Sequence, residues 1–154
     1  MHRSLAVVDD TDVHRELLAE AARLARGSDG EVVLFTTMTA DEFESDTEKI
    51  ESIERAEGTT YSDASALDGS RKVAREVADE VFDDLDWDVE YEVVAQVVEE
   101  GDRADAILDA ASEYECEHVF VVGRKRSPTG KVLFGDTAQQ VILNFDGMVT
   151  ITTE

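Results

Sequence analysis

Two short runs of unbroken apolar residues interrupt an otherwise mixed chain, residues 5–8 (LAVV) and residues 119–122 (VFVV). A strand covered on both faces shows no polar alternation, so these two are expected in the middle of a parallel sheet. Residues 31–38 (EVVLFTTM) are rich in β-branched side chains and are read as another strand. Residues 89–97 behave differently: Val89, Tyr91, Val93, Ala95 and Val97 alternate with Glu90, Glu92, Val94 and Gln96. One face is mostly polar over its first half, which suits a sheet edge. Residues 148–152 (MVTIT) supply a last strand.

The intervening segments carry helical period. Val13, Leu17, Ala21 and Leu24 share one face of a helix that starts near Thr11 or Asp12 and is expected to stop at Gly27. A second helix begins at Ser70 with Val73, Val77, Val81 and Leu85 inward. Asp102 is placed to cap a third, carrying Ala104, Ile107, Leu108 and Ala111, and Ala138, Val141, Ile142 and Phe145 mark a fourth. Strands alternating with helices predict an α/β, doubly wound fold, with right-handed crossovers about a parallel sheet. Residues 39–69, dense in Asp, Glu, Ser and Thr, break the rhythm. Phe43, Ile50 and Ile53 allow a short helix there, but most of the stretch is read as a long, mobile acidic connection.

Length makes residues 1–154 a single domain, and a chain of this size buries roughly 70% of its unfolded surface. One cysteine, Cys116, excludes an intrachain disulfide and a cysteine zinc site, fits a reducing cytosol, and is read as a half-buried helix residue. The first residues hold no apolar stretch of secretory length, and nowhere do about 18 apolar residues run together. A soluble, cytoplasmic protein off the membrane is expected.

The net charge is −23, from 37 acidic and 14 basic residues. The acids are scattered between apolar positions rather than gathered in a block, which describes a solvated acidic surface and not a tail for a basic partner. With ten arginines, four lysines and abundant aspartate, the composition resembles that of halophilic proteins adapted to concentrated salt. Nucleic acid is excluded as a partner because phosphate backbones need a broad basic face.

Against that background, four of the fourteen basic residues, Arg124, Lys125, Arg126 and Lys131, fall within eight positions, around the chain's one proline, Pro128. In an open α/β sheet ligands sit beyond the carboxyl ends of the strands, where neighbouring strands send their connections to opposite faces. If LAVV and VFVV are neighbours, one such loop brings Asp9, Asp10 and Thr11; the other brings Gly123 and the basic stretch, then opens a helix at Gly135, Asp136 and Thr137. Cationic side chains, glycine amides and a helix N-terminus meeting in one place can bind phosphate. The same residues also allow a plainer reading, in which the basic side chains pair with nearby carboxylates and Asp136 caps the helix itself.

Other chemistries do not fit. A P-loop needs four residues between its glycines and a hydroxyl after the lysine, whereas Gly123 and Gly130 have six between them and Val132 follows Lys131. His2, His14 and His118 are scattered with no ligand spacing, so no metal site is expected, and His118 is read as a surface or satisfied residue. No G-x-S-x-G elbow or serine with a base partner is present, so no catalytic residue is assigned.

The element order, the VVD at residues 7–9, the Gly101 before a helix and the tail VFVVGRKRSPTGKVLFGDTAQQVI at residues 119–142 together resemble the universal stress protein family across essentially the whole chain. The resemblance implies a five-stranded parallel sheet of order 3-2-1-4-5 with helices on both faces, a homodimer through the last strand, and, as in some members, binding of an adenine nucleotide, ATP or AMP. In ATP-binding members the signature after the fourth strand is G-x2-G-x9-G followed by Ser or Thr. Gly123 matches its first glycine, Arg126 stands at the second, Gly135 matches the last one residue early, and Asp136 replaces the hydroxyl residue with Thr137 next. Asp9 matches the aspartate that holds the ribose, and Thr37 lies near the position that flanks adenine. Arg124, Lys125, Arg126 and Lys131 would supply charge, with amides near Gly130 and Gly135 as donors. The resemblance thus implies a small stress-response regulator that binds nucleotide; the alternative is a dimeric interaction module of the same fold that binds none. Hydrolysis of the nucleotide is the weakest reading, since no dedicated base is evident.

Overall fold

The computed structural model describes residues 2–57, 65–86, 88–124 and 135–154, with backbone alone over 50–57 and at 65. The apolar runs extend into strands and the periodic segments into helices: β1 (Arg3–Val7), α1 (Asp12–Ser28), β2 (Glu31–Thr39), α2 (Ala40–Glu57), α3 (Ser65–Leu85), β3 (Tyr91–Val98), α4 (Arg103–Glu113), β4 (His118–Gly123), α5 (Asp136–Asn144) and β5 (Met148–Thr153). All five strands are parallel, in the order β3-β2-β1-β4-β5. LAVV and VFVV are therefore neighbours, with Leu5 beside Val119 and Ala6 beside Phe120.

Because successive strand residues point to opposite faces, each inner strand feeds two cores. Ala6, Val32 and Leu34 pack beneath α1 and α3, while Leu5, Val33 and Phe35 pack beneath α4 and α5. Each fully buried Leu or Phe is worth about 1.5–3 kcal/mol of transfer free energy, so continuous apolar runs are what a strand covered twice requires. The chain that follows β1 runs over one face and the chain that follows β4 over the other, which opens a crevice between their carboxyl ends.

Local details depart from the sequence reading in instructive ways. Helix α1 runs past Gly27, and Asp29 adopts the left-handed conformation instead (φ 52, ψ 45) with its amide on the Ala25 carbonyl. Ser28 supports the extra turn by donating to the Leu24 carbonyl at 2.8 Å, and aspartate is among the few side chains that tolerate this conformation. Gly30 is constrained more tightly: a Cβ there would stand 2.2 Å from the His2 carbonyl oxygen, which accepts the Glu31 amide at 3.0 Å.

Within the stretch 39–69, read as mostly connection, the described residues from 40 to 57 and from 65 onward are helical, and residues 58–64 lie outside the described residues. Thr39 and Glu42 cap one another: the Glu42 amide donates to Thr39 Oγ1 at 3.2 Å, and Glu42 Oε1 accepts from the Thr39 amide and hydroxyl. This T-x-x-E capping box, with Asp41 and Glu42 favoured by the helix dipole in the first turn, starts α2 directly at the end of β2. Helix α3 likewise begins at Ser65, five residues before Ser70. On α5, Ala138 and Val141 are buried, but Ile142 is exposed, because the helix packs on a narrower face than the periodicity suggests.

Cys116 lies in the turn between α4 and β4 and not in a helix. It is 8% exposed, and burial pushes its thiol up to about 11, against the opposing effect of Arg3. The thiolate is the reactive form, so at pH 8 only about one thiol in a thousand is competent to react. Native protein should therefore react with iodoacetamide at least a hundredfold more slowly than protein in guanidinium, and equal rates would show that the turn is open. Of the two alternatives for His118, surface or satisfied, the second fits at one nitrogen: the residue is buried, Nε2 meets Thr150 Oγ1 at 2.7 Å, the ring stacks on Phe120, and burial followed by the nearby His2 lowers its pKa.

Candidate functional site

Strand β1 ends where the Val8 amide makes its last ladder bond to the Phe35 carbonyl at 2.9 Å. The chain then turns through Asp9 and Asp10, with the Asp10 amide donating to Asp9 Oδ1 at 2.8 Å. Thr11 has the extended conformation of an N-cap, and its hydroxyl accepts the His14 amide at 3.1 Å. Arg15 braces this turn against α3 by contacting both Asp10 (2.5 Å) and Glu80 (3.1 Å).

On the neighbouring side, β2 delivers Thr36, Thr37 and Met38. Thr36 Oγ1 and Ser70 Oγ approach to 3.4 Å, which ties the strand end to α3. Helix α2 rises from here, and the residue that caps it, Glu42, also accepts from Arg103 Nη2 of α4 at 3.2 Å. That ion pair bridges two helices across the open end of the sheet.

Strand β4 ends at Gly123, whose carbonyl accepts the Glu154 amide at 3.1 Å. Arg124 follows, and its side-chain carbons lie along Gly135, within 3.8–3.9 Å of where a Cβ would stand. Gly135 takes the N-cap position of α5 with φ 83, a conformation that disfavours other residues. Asp136 therefore does not cap α5, contrary to the plainer sequence reading; it occupies the first turn, and among the described residues no side chain caps the helix.

These ends enclose a cleft of about 1100 Å³, just above the usual range for small-molecule sites. The sequence-derived residues Asp9, Thr37, Arg124, Gly135, Asp136 and Thr137 all line it. Gly123 flanks it between two lining residues, Val122 and Arg124. Arg126 and Gly130, with Lys125 and Lys131, lie outside the described residues. Asp9 and Gly123 thus stand on the same edge of the sheet, on adjacent strands.

Sequence reasoning missed one whole wall. Glu42, Asp46 and Lys49 line the cleft from a single face of α2, at spacings of four and three, and Gly69, Ser70 and Val73 line it from α3. The T-x-x-E box at Thr39 was the signal for the first group. Val73, expected in the core, is exposed because it faces this space. His14 also lines the cleft; burial lowers its pKa, while Asp9 and Glu154 act in the opposite direction. Among the described residues no cluster of three or more His, Cys, Asp or Glu is set to hold a metal ion, and no helix is long and apolar enough to cross a membrane.

A sequence model of one family, described as the universal stress protein family, matches residues 1–153. Among curated protein sequences none matches closely enough to count as a relative. Solved structures do match. A universal stress protein from Archaeoglobus fulgidus is 26% identical with a TM-score of 0.59, over 98% of this chain and 97% of that one. Another from Archaeoglobus fulgidus, in complex with dAMP, is 20% identical with a TM-score of 0.54, over 98% and 96%. A universal stress protein in complex with cAMP is 15% identical with a TM-score of 0.57, over 99% and 96%.

Proposed function

Since the chain belongs to the universal stress protein family, we propose that its cleft binds an adenine nucleotide, and that the protein is a cytoplasmic regulator responding to that ligand rather than turning it over. The observation that carries this reading is the convergence of Asp9, Arg124 and the head of α5 on one cleft of nucleotide size. Asp9 can accept from the ribose hydroxyls, Thr37 and Met38 can flank the base, and Arg124 with the first-turn amides of α5 can face phosphate. The bound nucleotides of two similar structures, cAMP and dAMP, support the choice of ligand.

Asp136 works against a highly charged phosphate chain, since its carboxylate stands in the first turn of α5. Two like charges about 4 Å apart in a well-solvated site repel by about 1 kcal/mol. Calorimetric titration of AMP and ATP in high KCl should therefore show binding that Asp9→Ala weakens roughly tenfold, the loss of a hydrogen bond to a charged group. Asp136→Ser should tighten ATP by roughly fivefold and AMP by less. No heat with either nucleotide at millimolar concentration would dismiss the reading.

A second reading, a dimeric interaction module, is favoured by one feature. β5 is an edge strand of the sheet; its first residue, Met148, and Leu143 of α5, the helix that precedes it, are 59% and 72% exposed. An uncovered edge with apolar neighbours is a pairing surface. A homodimer through residues 148–152 is compatible with nucleotide binding, and mass measurement in solution decides it.

A further inference from the structure

His14 stands in the first turn of α1, at the cleft, and one hydroxyl holds it twice. Thr11 Oγ1 accepts the His14 amide at 3.1 Å and meets His14 Nδ1 at 2.6 Å. A hydroxyl has one proton and two lone pairs, so it can keep the amide bond while either donating to a bare Nδ1 or accepting from a protonated one. The ring is therefore held in the same place whether neutral or charged, and with Nδ1 engaged, Nε2 is the nitrogen left for a ligand. This inference rests on the nucleotide reading of the cleft.

The charges around the ring come from several elements. Asp9 faces it from the turn after β1, and Glu154 from the end of β5. On its own helix, Asp12 and Arg15 are paired with one another, and Arg15 is further held by Asp10 and by Glu80 of α3. Arg124 and Asp136 share the cleft from the β4 and α5 side, while Glu42, Asp46 and Lys49 of α2, with Glu100 and Arg103 around the start of α4, line it opposite. Burial outweighs the two facing carboxylates and leaves the ring below its ordinary value, hence uncharged at neutral pH.

We propose that His14 Nε2 is a further contact for the phosphate of the bound nucleotide, beside Arg124 and the head of α5, and that the cleft takes up a proton when it binds a phosphorylated nucleoside but not a bare one. A phosphate group adds a third anionic group, of charge about −1.5 to −2 at pH 7, to Asp9 and Glu154, and in a partly desolvated cleft this favours the imidazolium. The sign follows: the bound state holds more protons than the free state, so affinity rises as pH falls.

The test is calorimetric titration of AMP and of adenosine into the full chain near pH 7, in buffers of different ionisation enthalpy. AMP should give a buffer-dependent heat equivalent to a sizeable fraction of one proton, and adenosine should give none. Affinity for AMP should rise roughly three- to tenfold between pH 7.5 and 6, within the limit of tenfold per pH unit set by one linked proton. His14→Gln should remove most of the uptake, leaving only what the phosphate's own ionisation near pH 6 contributes. Equal uptake with adenosine, or unchanged uptake in His14→Gln, overturns the role of His14 while leaving nucleotide binding intact. Failure of both ligands to bind at any pH overturns both. If the variant folds poorly, the His14 ring resonances of the unaltered protein decide the matter: AMP near pH 7 should move them toward the imidazolium position and adenosine should not, and no movement with AMP overturns the proposal.

Discussion

Phe35→Ala should lower the unfolding free energy by about 3–5 kcal/mol, the range for removing a fully buried aromatic ring and leaving a cavity. Phe35 is 0% exposed and lies on β2 between the central and edge strands, in the core under α4 and α5. Small domains are stable by about 5–15 kcal/mol in all, so this one change takes a large part of the total. Its consequence reaches the cleft as well. Phe35 lines the cleft floor, and its carbonyl holds the Val8 amide immediately before Asp9. Phe35→Leu, which keeps most of the volume, should cost about 1 kcal/mol and spare ligand affinity. Glu16→Gln, on the exposed side of α1, is the contrasting control and should stay within about 0.5 kcal/mol. Urea unfolding followed by circular dichroism in 2 M KCl measures all three. A loss under 1 kcal/mol for Phe35→Ala would mean that the sheet has no well-packed centre at that position.

The legible part of the sequence was the part governed by burial. LAVV and VFVV cannot tolerate water on either face, and the sheet places them side by side. The polar alternation in the third strand marks an edge, and β3 is one. Legibility failed where a local bond decided the outcome. Thr39 and Glu42 start a helix that composition alone argued against, because a stretch rich in acids resembles a linker until its capping box is noticed. Asp29 replaces Gly27 as the left-handed residue because Ser28 can bond back to Leu24. The same split runs through the cleft. Asp9, Arg124 and Gly135 could be anticipated from strand ends, while His14 and the α2 wall depend on which face of a helix turns toward the opening. Helical period fixes a stripe but not its orientation when both sides of the helix have something to cover.

The second large effect concerns salt. With 37 acidic and 14 basic residues, full pairing of every cation would still leave a large negative excess. Several described cations are in fact already engaged: Arg3 with Glu31, Arg15 with Asp10 and Glu80, Arg71 with Asp68, and Arg103 with Glu42. Added salt has two opposing consequences. It weakens these surface pairs, each worth about 0–1 kcal/mol, and it screens repulsion among the unpaired carboxylates. The second should win, because the repelling pairs far outnumber the attracting ones and act over longer distances. At 0.1 M the screening length is about 10 Å, comparable to the spacing of charges on a small domain; at 1 M it is about 3 Å. Unfolding spreads the charges apart, so repulsion penalises the folded chain more than the unfolded one. Raising KCl from 0.05 to 1 M should therefore raise the melting temperature by roughly 10 °C, which for a chain of this size is on the order of 3–4 kcal/mol. Most of the rise should come below about 0.5 M, where the screening length changes fastest. Sucrose, which favours compact states without screening charge, should not reproduce that steep early portion. A melting temperature flat across this range would mean that the carboxylates are far enough apart, or well enough hydrated, to ignore one another, and the salt-adapted reading of the composition would be wrong.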